Sequence, residues 1–271
     1  MMENYSEIDT YAKDWIMTAG KRLKSSFEEN LNIETKANAN DLVTNMDKEI
    51  EQFFLDNITE TFPTHRILGE EGMGKRITDL KGVVWIIDPI DGTMNFVHQQ
   101  RNFAISIGIY EDGVGKIGLI YDVVQNELYH AIKGKGAYLN NMKLTNLKKV
   151  SISEMILSIN ATWLMENKRV DHQILTPIIK DVRGTRSYGS AAIEMAFVAS
   201  GRIDAYMTMR LAPWDFAAGS ILIEEVGGEI TTMSGNPLDY LNGSSLFVSK
   251  PGLHQAISET YFQNGWPTVK Y

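Results

Sequence analysis

The sequence predicts a mixed α/β chain in two halves: an α+β half over residues 1–149, with helices on an antiparallel sheet, and an α/β half over residues 150–271. Three observations predict it. Apolar residues recur at steps of three and four near the N-terminus, and strict apolar alternation runs into Asp112-Gly113. After Lys149, short strand-like runs alternate with helical ones.

Taken in order, Ile8, Ala12, Trp15, Ala19, Leu23 and Phe27 fall on one face of a long amphipathic helix. Thr44-Asn45-Met46-Asp47 is a helix start signal, followed by apolar Ile50, Phe53 and Phe54. Val83 to Ile87 is a continuous β-branched and aromatic run, read as a strand buried on both faces that ends at Asp88-Pro89. Phe103, Ile105, Ile107 and Ile109 alternate with Ala104, Ser106, Gly108 and Tyr110, and Asp112-Gly113 then turns a hairpin. Strands continue through Ile117 to Tyr121 and Glu127 to Ile132, and Asn140-Asn141 closes another hairpin.

In the second half the pattern reads as a strand at Met155 to Ile159 and helices at His172 to Lys180 and Ser190 to Ala199. A strand at Asp204 to Thr208, a helix after Asp215, a strand at Glu229 to Thr232 and a helix at Gly252 to Phe262 follow. No repeat or low-complexity linker divides the halves, so the expected site is a cleft between them.

Composition narrows the chemistry. The 271 residues are 44% hydrophobic and 22% charged, with no cysteine and a net charge of −8. Global disorder, a disulfide framework, a thiolate nucleophile and a cysteine zinc site are thereby excluded. The acidic balance disfavours a nucleic-acid binder, and the short basic stretches at Lys21 to Lys24 and Lys148-Lys149 read as solvated faces. No secretory signal opens the chain and no apolar run approaches the roughly 18 residues of a spanning helix. A cytoplasmic protein without a membrane segment is expected.

Two glycine motifs are decoys. Gly113 to Gly118 spells a dinucleotide pattern, but both flanks read as strand, whereas that pattern requires a strand turning into a helix. Gly69 to Lys75 approaches a P-loop, yet Arg76 stands where Ser or Thr is needed and Glu70-Glu71 would repel phosphate. The five histidines, at 65, 98, 130, 172 and 254, have no zinc spacing, and no Gly-x-Ser-x-Gly elbow occurs.

Carboxylates remain. From Trp85 to Phe96 a buried strand delivers Asp88 and Asp91 into a turn shaped by Pro89 and Gly92, where carboxylate and carbonyl oxygens can converge on a hard cation. An ordinary turn is the competing reading. Glu70-Glu71 lies between glycines, and Asp215 precedes Phe216 to Val226; exposed glutamates and an N-cap are their plainer readings. Asp47 is equally the last residue of a capping box begun by Thr44.

Together, Lys36, Asp41 through Asp47, Gly69-Glu70-Glu71, Trp85 through Phe96, Gly184 through Ala192, Gly201 through Tyr206 and Trp214-Asp215 resemble the inositol monophosphatase family in order and spacing. The resemblance runs from about Lys36 to Gly228. It implies a layered α-β-α-β-α sandwich of the sugar-phosphatase type and two to three Mg²⁺ ions. Glu70, Asp88 and the Ile90 carbonyl would hold one ion, Asp88, Asp91 and Asp215 a second, with Glu70 also at a weaker third. Thr93 and Asp47 would orient the attacking water, and the Gly92 and Thr93 amides, if they open a helix, would grip the phosphate. Gly189, Ser190 and Ala191 would line the substrate's ring side, with Asp91 and Asp215 also touching substrate.

The implied activity is hydrolysis of a small phosphate monoester, foremost an inositol phosphate, with lithium sensitivity and a homodimer as further implications. Relatives acting on inositol phosphate carry an acid seven residues before the last aspartate, where this chain has Thr208. NADP, 3′-phosphoadenosine 5′-phosphate and fructose 1,6-bisphosphate are therefore alternative substrates, with Arg183, Arg186 and Arg210 as candidates for a second phosphate. A regulatory or interaction protein on the same scaffold is the alternative of another class.

Overall fold

The computed structural model describes residues 4–29, 31–35, 42–74, 77–262 and 265–270. Lys36, Asp41, Lys75 and Arg76, which entered the motif readings above, lie outside them.

The chain runs α1 (Tyr5–Ser25), β1 (Ile33–Thr35), β2 (Leu42–Thr44), α2 (Asn45–Thr61), β3 (Arg66–Gly69), β4 (Val83–Asp91) and α3 (Thr93–Gln99). The meander β5 (Ala104–Glu111), β6 (Val114–Asp122), β7 (Glu127–Ile132), β8 (Gly136–Leu139) and β9 (Met142–Lys143) follows. Then come β10 (Ile156–Ile159), α4 (His172–Asp181), β11 (Gly184–Arg186), α5 (Ala191–Ala199), β12 (Ala205–Leu211), α6 (Pro213–Glu225), β13 (Glu229–Thr231), β14 (Ser244–Ser249) and α7 (Leu253–Tyr261).

Strands β3 to β9 form a seven-stranded sheet in sequence order, antiparallel except for the parallel β3–β4 pair. A five-stranded sheet has the order β11-β10-β12-β14-β13, and β1 pairs with β2 alone. Asp112 and Gly113 turn the β5–β6 hairpin with φ of 49° and 77°, the positive angles of a type I′ turn.

Alternation along the strands builds the layers. Trp85, Ile87, Ile105, Ile107 and Ile109 pack with Ile8, Trp15 and Leu23 of α1 and Ile50 and Phe54 of α2. From the opposite face Val84, Ile86 and Ala104 meet α5 and α6, which also cover Leu246 and Val248 of the second sheet. That sheet's far face, with Leu157, Met207 and Phe247, packs on Leu175 of α4 and Ile257 of α7. The result is the α-β-α-β-α sandwich.

The middle layer packs closely because it is built from small residues. Gly108 and Gly118 are paired across β5 and β6 and lie under Ala217 and Ala218 of α6. A Cβ on Gly118 would stand 2.5 Å from the Ala218 carbonyl oxygen. Among the described residues no helix is long and apolar enough to cross a membrane.

Three elements depart from the sequence reading. Strand β4 does not stop at Asp88-Pro89 but continues to Asp91, because a bulge absorbs the proline that cannot donate to the ladder. Helix α6 begins at Pro213, a residue suited to a first turn since its missing N–H would have no partner there. Asp215 is therefore inside the first turn rather than the N-cap. The second sheet is mixed, since β14 runs antiparallel to both β12 and β13.

Candidate active site

Asp88 pairs with Ser106 and Asp91 with Ala104, so three steps on β4 oppose two on β5. In a flat strand, residues three apart face opposite sides. Val84 and Ile86 face the middle layer, Trp85 and Ile87 face α1 and α2, and Ile90 joins that second group. The bulged residue has reversed the alternation and brought Asp91 to the side of Asp88.

Asp215 reaches the same point from the first turn of α6, where one of its oxygens accepts the Ala212 N–H at 2.7 Å. Asp88, Asp91 and Asp215 each present an oxygen within 4.8 Å of the others. Asp88 and Asp91 are buried. Burial, with the charges of Glu70, Asp91 and Asp215, pushes the Asp88 carboxyl well above the usual carboxylate range. Burial and the Asp91 charge do the same to Asp215. Asp91 is pushed up to about 6 by burial, against the pull of hydrogen bonds from Ser190 and Ala192. Such crowding of like charges calls for a cation. Oxygen donors alone, from carboxylates, suit a hard divalent ion such as Mg²⁺ that keeps waters for the remaining positions.

Glu70 follows β3, its backbone N–H donating to the Ile87 carbonyl at 3.3 Å, and it stands outside the mutual 4.8 Å group. Its charge nevertheless acts on Asp88, Asp91, Asp215 and Asp47.

Asp47 completes the α2 cap and also reaches Thr93. Its Oδ2 accepts the Thr44 N–H and hydroxyl, each at 2.7 Å, while the Met46 N–H donates to the Thr44 hydroxyl at 3.1 Å. The other oxygen, Oδ1, faces the Thr93 hydroxyl at 3.2 Å. That hydroxyl also lies 3.0 Å from the Ile90 carbonyl. Burial raises the Asp47 carboxyl to about 6; the Thr44 donors oppose this and the charges of Glu70 and Glu71 add to it.

Gly92 is the N-cap of α3, in the left-handed region at φ 93°, so Thr93 does open a helix. Ser190 and the Ala192 N–H both donate to Asp91 Oδ2, the latter at 2.8 Å, which ties β4 to the start of α5. Beside them lies a cavity of about 250 Å³ whose lining includes Asp91, Gly189, Ser190, Ala191, Trp163 and Thr208. Arg183, Arg186 and Arg210 are exposed, and none lines it.

Three buried polar side chains beside the site escaped the sequence reading. Glu194 is buried on α5 and its Oε1 accepts the Tyr188 and Gly189 N–H groups at 2.7 and 3.3 Å. Burial raises its carboxyl to about 7, partly offset by those donors. Asn95 holds the same peptide from the other side, its Nδ2 donating to the Tyr188 carbonyl at 2.7 Å. Glu51, buried one turn beyond Asp47 on α2, accepts the Glu71 and Met73 N–H groups at 2.7 and 2.8 Å. A signal existed for both acids: Glu194 is a lone charge within the apolar run Ala191 to Ala199, and Glu51 sits among apolar Ile50, Phe53 and Phe54, one turn beyond Asp47.

Comparison with known proteins agrees with this architecture. Residues 4–264 match the family model described as the inositol monophosphatase family. The chain is 64% identical over 260 residues to inositol-1-monophosphatase of Bacillus subtilis, covering 96% of this chain and 98% of that protein. A crystal structure of SaIMPase-II, inositol monophosphatase-II of Staphylococcus aureus, with inositol monophosphate bound superposes with a TM-score of 0.87 at 44% identity, covering 95% of this chain and 94% of that one. Staphylococcal inositol monophosphatase-1, solved as a LiCl-soaked inhibitory complex, gives a TM-score of 0.90 at 28% identity and 99% coverage of both chains. With the family model matched over nearly its whole length and its middle layer closing on a triad of aspartates, the chain belongs to the inositol monophosphatase family.

Proposed function

We propose that the protein is a Mg²⁺-dependent phosphomonoesterase that hydrolyses small phosphate monoesters with water as the nucleophile, inositol monophosphate foremost. The convergence of Asp88, Asp91 and Asp215 within 4.8 Å carries the reading. In it, Glu70, Asp88, the Ile90 carbonyl, Asp91 and Asp215 hold two to three ions. Bound there, Mg²⁺ supplies charge neutralisation for the phosphate, acidification of a water and stabilisation of the departing oxygen.

The chain's own groups do the rest. With its proton committed to Asp47 Oδ1, the Thr93 hydroxyl turns a lone pair outward to accept a hydrogen from the attacking water and so fixes its direction. Asp47, carried on α2, is fixed by two further elements, since its two oxygens bind the β2 end and the α3 start at once. In this reading the N–H groups of Gly92 and Thr93, at the opening of α3 where no carbonyl precedes them in the helix, would hold phosphate oxygens.

Gly189, Ser190 and Ala191 would present the cavity wall to the alcohol part of the substrate. Among the described residues no lysine or arginine lines that cavity, which favours a neutral polyol over a leaving group bearing a second phosphate. Thr208 supplies a hydroxyl there in place of an acid. The substrate named for the B. subtilis relative and the ligand of SaIMPase-II support the same choice. We also read the protein as lithium-sensitive, by analogy with the staphylococcal inhibitory complex, and as a cytoplasmic homodimer, which light scattering tests for its dimeric part.

The test is phosphate release from inositol 1-phosphate, NADP, 3′-phosphoadenosine 5′-phosphate and fructose 1,6-bisphosphate, with a chelator control and Asp91→Asn beside the wild type. Metal-dependent release, highest on inositol 1-phosphate and lost in the variant, is expected. Wild-type turnover in folded Asp91→Asn at ordinary Mg²⁺ would refute the assignment.

A further inference from the structure

Glu51 presents a puzzle. Glu51 is 1% exposed and lies close enough to Glu70 and Glu71 for their charges to act on it, so it adds negative charge beside a site already crowded with it. Nothing in the hydrolytic chemistry above uses it. The chain has nevertheless made room for it, since a Cβ on Gly69 would stand 2.5 Å from its carboxylate.

The hydrogen bonds explain the residue type. Oε2 takes the Glu71 N–H at 2.7 Å and Oε1 takes the Met73 N–H at 2.8 Å. Two donors arriving at opposite ends of one side chain require an acceptor at both ends. A carboxylate is the only side chain of this length that provides it; glutamine would turn its NH₂ toward one of the two donors. The bonds grip the backbone immediately after Glu70, on the loop where Glu70, Gly72 and Trp214 line a second cavity of about 350 Å³. Helix α2 thus carries two buried acids one turn apart, Asp47 directed to Thr93 and Glu51 to the Glu70 turn. A helical turn is about 5.4 Å and stiff, so the helix acts as a spacer between the two sides of the site.

We propose that Glu51 is a positioning residue that holds the Glu70–Met73 turn so that the Glu70 carboxylate stands ready for a divalent cation. The inference rests on the reading of Glu70 as a cation ligand. Groups that orient metal ligands commonly change affinity by about 10- to 100-fold when removed.

The experiment titrates Mg²⁺ by calorimetry into substrate-free wild type, Glu51→Gln, Gly69→Ala and Asp91→Asn, and measures turnover against Mg²⁺ in parallel. Glu51→Gln is expected to weaken Mg²⁺ binding by about 10-fold or more, with a smaller loss of turnover at saturating Mg²⁺. Gly69→Ala, which drives a methyl group into the carboxylate, is expected to reproduce that split. In a Glu51→Ala background the Gly69→Ala penalty should shrink, because the clashing group is gone. Unchanged Mg²⁺ affinity in a Glu51→Gln protein that still unfolds cooperatively overturns the proposal. If Asp91→Asn also binds Mg²⁺ normally, the cation-site reading itself has failed; if only Asp91→Asn loses binding, the fault lies with Glu51 alone. Should Glu51→Gln not fold, hydrogen exchange on the wild type decides: slow exchange at the Glu71 and Met73 amides is expected, and exchange at the rate of an open loop overturns the clamp.

Discussion

Replacing Gly118 by alanine should damage the active site from beneath, without touching any residue in it. The new Cβ would lie 2.5 Å from the Ala218 carbonyl oxygen and 3.2 Å from the Ile221 Cβ, where ordinary contact begins at 3.4 Å. The obstacle is helix backbone, so a side-chain rotation cannot relieve it. To restore contact, α6 must withdraw from the sheet by about 3.4 − 2.5 = 0.9 Å. Sideways movement is restricted too, since Met195 of α5 packs so near Gly219 that a Cβ there would lie 2.6 Å from its sulfur.

Overpacking of this kind costs about 1–3 kcal/mol, or a fall of roughly 2–5 °C in Tm for a chain of this size. Asp215 moves with the first turn of α6, and a misplacement near 1 Å at a reacting site can cost about 100-fold in rate. Thermal denaturation and a Mg²⁺ titration of phosphate release measure the two effects. Gly113→Ala is the control: its φ is +77° with open space around it, so backbone strain lowers Tm while Mg²⁺ dependence stays as it was. Wild-type Tm and Mg²⁺ half-saturation in Gly118→Ala would show that α6 does not set the position of Asp215 through this contact.

Other substitutions probe separate parts. Thr93→Ala removes the hydroxyl facing Asp47, and turnover should fall more than Mg²⁺ affinity, about 100-fold or more; a pure affinity defect in the kinetics would remove its water-directing role. Glu194→Gln puts an NH₂ group near the Tyr188 and Gly189 donors and is expected to raise KM for inositol 1-phosphate about tenfold while kcat falls less. A change confined to kcat would contradict that. Asp9 is buried between His130 at 2.5 Å and Lys13 at 2.9 Å. Burial alone would raise its carboxyl, but the hydrogen bonds and charges of His130 and Lys13 outweigh it and hold it below the ordinary aspartate value. A lowered folded-state value means stability that is present above the unfolded value and lost as pH falls through the folded one. Asp9→Asn should therefore cost about 1–3 kcal/mol at pH 7, and denaturant curves of variant and wild type should converge below about pH 4. A gap that persists or widens in acid would reverse the argument.

What the sequence disclosed follows the range of the forces involved. Local signals were legible: the periodicity of α1, the Asp112-Gly113 turn and the Thr44 cap, each complete within a few residues. The acids Asp88, Asp91 and Asp215 were also legible, although their meeting depends on a bulge and on helix α6, and only their resemblance to a family joined them beforehand. Strand β14 was missed, since Ser244 to Ser249 is half hydroxyl residues and becomes a strand through pairing with β12 and β13. The start of α6 was misjudged because Asp215 has the chemistry of a cap, whereas Pro213 two residues earlier fits the first turn better. Glu51 and Glu194 were passed over because their partners are backbone amides, and amides leave no mark on a sequence.

The bulge in β4 makes the count of residues between two aspartates a matter of parity. Deleting Ile90 and keeping the bulge would swing the second carboxylate toward Trp85 and Ile87, into apolar surroundings that penalise a charge by several kcal/mol. An insertion would do the same from the other direction. Only paired changes, a residue lost together with the irregularity, would leave both carboxylates on one side, and a flat strand then spaces their Cα atoms by about 6.8 Å. Length variation should thus be tolerated in the loops of this protein and refused between Asp88 and Asp91, where a single residue decides which layer of the sandwich receives the charge.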